Sequence, residues 1–192
     1  MLTELKPAFM VMRREVQDQM RDWRIIIPIF VLTILFPGLM NFVAERAVNF
    51  VQGYEAELIG ERLIPFLLMI VGFFPASFSL IIALESFVGE KERGSIEPLL
   101  TSPLSDFQLY LGKLIAVMVP PIVASTIGIG VYLISVYRDL GWIPEAELLI
   151  QILLLTYVHA LVMVSGAVVI STQATSVRAA NLLASFIIVP MS

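Results

Sequence analysis

The residues best suited to chemistry in this chain lie at 89–103, in the run Gly-Glu-Lys-Glu-Arg-Gly-Ser-Ile-Glu-Pro-Leu-Leu-Thr-Ser-Pro. Glu90, Glu92 and Glu97 stand there with Lys91 and Arg93, beside the apolar Ile96, Leu99 and Leu100, in the densest cluster of charge in the protein. Such a mixture recognises rather than reacts. Charges set register against a partner, and apolar side chains that are unfavourable in water insert into it. Solvation alone would not require Gly94, Pro98, Leu99, Leu100 and Pro103 in that order. Candidates for catalysis are poorer. The chain has no cysteine, which removes thiolate nucleophiles and cysteine-type metal sites. No Gly-x-x-x-x-Gly-Lys-Ser/Thr run occurs, so nothing here cradles ATP. His159, the sole histidine, lies in an apolar run without a carboxylate partner and reads as a neutral packing residue rather than a proton relay. Gly112-Lys113 lacks an upstream glycine and reads as a lysine at the edge of the membrane. The apolar runs hold no Ser/His/Asp or paired-Glu constellation, which argues against an intramembrane hydrolase.

The run must be held by its neighbours. Glu90 and Arg93, three apart, support a helix that continues out of the preceding apolar run, and Gly94 can take the left-handed conformation that closes it. Ser95 is placed to cap a second, short helix through Leu100, with Glu97 near its positive end and Pro98 tolerated only in its first turn. Ser102-Pro103 stops that helix, and Ser105 followed by Gln108 makes a capping box for the next.

Composition places these elements in a membrane. The chain is 58% hydrophobic with a mean hydropathy of +0.91, above the roughly 45–50% apolar content of soluble domains. Its net charge of -4 gives no basic surface for nucleic acid. A span needs about 20 apolar residues, and the chain supplies runs at 25–44, 63–85, 114–137 and 148–170, with a fifth at 179–192 that is too short to cross comfortably. The expected fold is all-α: a polytopic membrane helical bundle forming a single domain over 1–192. Pro28, Pro37, Pro65, Pro75 and Pro120-Pro121 predict bends within spans. Ala124 and Gly128 form a small pair suited to packing inside the bundle, and Trp142 falls where an interfacial anchor would sit. The stretch 45–62 reads as a short polar loop.

Residues 1–24 carry too much charge for a cleaved signal. Phe9, Met12, Val16, Met20 and Trp23 fall on one arc at 100° per residue, which predicts an interfacial amphipathic helix over 8–23. Nine of the twelve Lys and Arg residues lie on the side of the amino terminus and of 89–103, against Arg46, Arg62 and Arg138 on the other. The positive-inside rule therefore places the amino terminus and 89–103 in the cytoplasm.

One family resemblance emerges from these residues. Glu90-x-Glu92-x-Gly94-Ser95-x-Glu97-x-Leu99-Leu100, then Ser102-Pro103 and Gly112-Lys113, resembles the cytoplasmic loop between the second and third spans of ABC-2 type permeases, with Glu-Pro-Leu-Leu similar to the sodium-exporter-like branch. The resemblance implies an integral protein of a prokaryotic plasma membrane, paired with a second permease copy or homologue. It also implies a short cytoplasmic coupling helix docking on a separate ABC ATPase subunit. The site residues it points to are Glu90, Glu92, Arg93, Gly94, Ser95, Ile96, Glu97, Leu99, Leu100 and Pro103. The chain itself would bind no cofactor and catalyse nothing, ATP acting through the partner, and export is the implied direction. The family has six spans, so the expectation is that the protein continues beyond Ser192. Two other readings fit the same spans: a membrane assembly or binding protein that does not transport, and a secondary transporter. The second is disfavoured because the spans hold no Asp, Glu, Lys or Arg apart from Glu85 at the polar end of one of them.

Overall fold

The structure, a computed structural model, describes residues 2–52, 57–94 and 105–188. Six helices run through them: α1 (Leu2–Gln19), α2 (Trp23–Gln52), α3 (Glu57–Glu92), α4 (Asp106–Leu140), α5 (Ala146–Gln173) and α6 (Val177–Ile188). There is no strand among the described residues. Helices α2 to α5 are long and apolar enough to cross a membrane. A helix closes its own backbone hydrogen bonds, which is the condition for lying in hydrocarbon. The hydroxyls follow suit: Thr33, Thr126, Ser135, Thr156 and Ser165 each donate to the carbonyl four residues back. None of them presents an unpaired donor to lipid.

The helices outrun the expected spans. The stretch 45–62 is helical over 45–52 and 57–62 rather than a loop. Glu45, Arg46 and Arg62 are carried on exposed helix positions, with the Arg46 guanidinium over the Phe42 ring at 5.1 Å. Pro28, Pro37, Pro65, Pro75, Pro120 and Pro121 all lie inside helices, and none ends one. The most enclosed of the four long helices is α3, with 61% of its most apolar window buried; α2, at 22%, shows most of its apolar surface outward, as a lipid-facing helix does.

The chain divides into two compact units. One comprises 27–76 and 122–159. Its core is a stripe of Ile64, Leu67, Leu68 and Val71 on α3, at i, i+3, i+4 and i+7, against Ile129, Tyr132 and Val136 on α4, with Ala44 and Ile152 closing the sides. Gly128 faces Val71, Pro37 and the Thr33 carbonyl, so this small residue serves packing within the chain. Trp142 packs against the same core. His159 lies flat on Phe73, ring centroids 4.7 Å apart.

The other unit comprises 1–26, 77–121 and 160–192. Ala160, Met163, Val164 and Ala167 give α5 a buried stripe there, and the Ser79 hydroxyl donates to the Ala160 carbonyl at 3.2 Å. Helix α1 differs from expectation. It stops at Gln19, because Asp22 caps α2 through the Arg24 N–H at 2.9 Å and the intervening residues form a turn. The apolar arc through Met20 and Trp23 is thereby cut. What α1 buries is Ala8 and Gln19, with Glu15 half-buried between, while Phe9 stays 62% exposed.

Candidate functional site

Helix α3 leaves its apolar run at Leu84, and all five charged side chains from Glu85 to Arg93 then find partners within the same unit. Arg93 reaches back two turns to Glu85 at 3.1 Å. The bridge passes over Gly89, where a Cβ would stand 3.2 Å from both side chains. Glu90 accepts from Lys113 of α4 at 2.5 Å. Lys91 donates to the carbonyls of Ala174 (3.1 Å) and Ser171 (3.5 Å), where α5 ends. Glu92 accepts from the Val177 N–H at 2.9 Å, where α6 begins. Each of the last two charges suits the helix terminus it meets, a cation at α5's negative end and an anion at α6's positive end. Gly94, at φ +67°, closes the helix as its position predicts.

The centre of this arrangement is Lys113, whose side chain is only 7% exposed. Besides Glu90 it meets Glu15 of α1 at 3.4 Å, and the same Glu15 oxygen accepts the Ser86 hydroxyl at 2.8 Å. One buried ammonium thus ties α1, α3 and α4 through charge-assisted hydrogen bonds. A buried charge is tolerated only when it is paired in this way. The Arg93–Glu85 pair is about half exposed and contributes little by comparison. One expectation is corrected and one is extended. The supporting ion pair of this helix end joins Arg93 to Glu85, not to Glu90, and Lys113, read as a lysine at the membrane edge, is buried between Glu15 and Glu90.

Of the residues singled out in the sequence, Glu90, Glu92, Arg93 and Gly94 come together at this helix end. Ser95, Ile96, Glu97, Leu99, Leu100 and Pro103, with the short helix expected there, lie outside the described residues. The chain re-enters the described part at Ser105, whose hydroxyl accepts from the Gln108 N–H at 3.3 Å while the Gln108 side chain accepts from the Ser105 N–H at 3.2 Å. The capping box is formed. Glu15 and Ser86 were missed, and the local pattern holds no signal for them, since their partners are 98 and 71 residues away.

Four helices of membrane length, with a polar loop rooted in clamped charge, define a polytopic integral membrane protein. A family model described as ABC-2 family transporter protein matches residues 9–191, nearly the whole sequence. The chain belongs to that family. The resemblance carried by Glu90, Glu92, Gly94, Ser95 and Glu97 is borne out at that level. No curated protein matches the chain.

Proposed function

We propose that this chain is the permease subunit of an ATP-driven exporter, working as a pair of permeases with two copies of a separate ATPase. ATP is bound and hydrolysed by that partner, and this chain brings no cofactor of its own. Its loop at 89–103 faces the cytoplasm, as does the amino terminus, and α1 lies along the membrane surface of a prokaryotic cell. The observation that carries the reading is the rooted helix end. A loop whose base is tied to α1, α4, α5 and α6 transmits a push, whereas a slack turn would absorb it. Glu90, Glu92, Arg93 and Gly94 fix the root, and Ile96, Glu97, Leu99 and Leu100 meet the ATPase, with Ser95 and Pro103 bounding the docking segment. Family membership supports the permease role, and the bias of basic residues supports the orientation.

The test uses the full chain, tagged and drawn from native membranes with its associated proteins. ATP hydrolysis is expected to co-elute with it. Combining Glu97→Lys with Leu99→Asp removes that activity while the yield and melting temperature of the chain stay unchanged. A wild-type chain that elutes without ATPase activity overturns the proposal, as does activity that survives the double substitution.

A further inference from the structure

The charged residues around the end of α1 are sorted by sign. The acids Glu15, Asp18 and Asp22 line one cleft together with Glu85 and Glu90 at the end of α3. Arg13, Arg14, Arg21 and Arg24 are all exposed, and none of them lines that cleft. Glu15 is engaged with Lys113 and Ser86, and Asp22 with the Arg24 N–H. The arginine side chains are not so engaged. Among the described residues Arg13, Arg21 and Arg24 form no ion pair, and Arg14 meets Asp18 only at 3.9 Å with both side chains largely exposed.

Bulky apolar side chains stand among these arginines. On a helix of about 3.6 residues per turn, Phe9, Met10, Arg13 and Arg14 fall within an arc of about 140°. Ala8, Glu15 and Gln19 lie on the opposite side, which α1 turns to the protein. Phe9 and Met10 are mostly exposed, as are Met20 in the following turn and Trp23 at the start of α2. Such a face suits the headgroup layer of a bilayer, with rings and stems at the acyl boundary and guanidinium groups level with the phosphates. An acidic protein partner would match the arginines but leave Phe9, Met10 and Trp23 unexplained. Trp23 also opens the first helix of membrane length, so Arg21 and Arg24 flank the point where the chain enters the bilayer. Guanidinium pairs well with phosphate. In phosphatidylcholine that phosphate is already neutralised by the headgroup's own cation, whereas in an anionic phospholipid it is not.

We propose that the outer face of α1 and its turn into α2 select the headgroups of anionic phospholipids over zwitterionic ones, a selectivity that rests on the reading of α1 as a membrane-surface helix. One arginine near an anionic surface strengthens its attraction about fivefold.

The full chain carrying Trp142→Phe, so that Trp23 alone fluoresces, is reconstituted in mixed bilayers of phosphatidylcholine and phosphatidylglycerol in which one lipid or the other is brominated. Both brominated lipids are expected to quench Trp23, with phosphatidylglycerol favoured about fivefold. Combining Arg13→Gln, Arg21→Gln and Arg24→Gln should bring the two lipids close to parity. These side chains are exposed, so the variant is expected to fold. Spin-labelled forms of the two lipids compare the same triple variant with the chain that keeps Trp142, and the loss of preference should recur there. Equal quenching in the parent overturns the proposal and leaves α1 at the membrane surface. A preference that survives the triple substitution in both measurements overturns it as well. No quenching by either lipid overturns both the selectivity and the surface reading, and would show that protein covers this face.

Discussion

Lys113 shows what a single side chain does when it is buried between two acids. Removing its charge by Lys113→Met leaves Glu15 and Glu90 enclosed without a counter-ion. Breaking a buried pair in that way costs about 3–5 kcal/mol, and the loss should appear as a lower midpoint in detergent-induced unfolding. Adding Glu15→Gln and Glu90→Gln to the same variant should restore most of it, because the enclosed negative charge is then gone. A triple variant as unstable as the single one would mean that Lys113 acts through packing of its stem. Gly72 offers a second case, in the other unit. A Cβ there would stand 2.7 Å from Thr156 Oγ1 and 3.0 Å from Ile129 Cδ1. Thr156 is stiff and already bonded to the Ile152 carbonyl at 2.8 Å. Gly72→Ala should therefore destabilise by about 1–3 kcal/mol, and Thr156→Ala in the same chain should relieve it. At this scale, what could be read in the sequence was local. Ser105 and Gln108 are three apart and Gly94 follows directly on a helix, whereas the Lys113–Glu15 tie joins residues far apart in the chain.

At the scale of elements, the seating of α1 on α4 depends on a missing side chain. A Cβ on Gly112 would come within 2.7 Å of the Ala8 carbonyl oxygen and 2.9 Å of Val11 Cβ. Backbone cannot step aside as a flexible side chain can. Gly112→Ala should push α1 away, and faster tryptic cleavage at Arg13 and Arg14 in the folded chain would report it; an unchanged rate would show that α4 yields instead. The same stretch shows what the periodicity marked. The apolar arc located in the sequence through Phe9, Met20 and Trp23 is 62%, 56% and 73% exposed at those residues. Hydrophobic patterning marks the face that avoids water. In a helix at a membrane surface that is a lipid-facing side, so the side turned to the protein can be polar, as Glu15 and Gln19 are. Existence and type of the long helices were legible because each apolar run is a property of composition. Their ends were not, since Glu45 and Arg46 can ride on a helix at no cost once they reach water.

For the molecule as a whole, the direction in which it threads the membrane is open to direct measurement. The chain has no cysteine, so introduced ones can be labelled without background. In the proposed orientation a membrane-impermeant maleimide should label Arg138→Cys in intact cells and Ser95→Cys only after permeabilisation. The reverse pattern would invert the bundle. One detail at the end of α3 bears on how force would travel once the loop is moved. Lys91 holds the last carbonyls of α5 and Glu92 the first N–H of α6, and these bonds lie near solvent, where they break and re-form readily. Lys113 below them is enclosed and does not let go so easily. Under the proposed docking, the helix end would work as a clutch with two grips: a firm one on α1 and α4, and a slipping one on the α5–α6 joint.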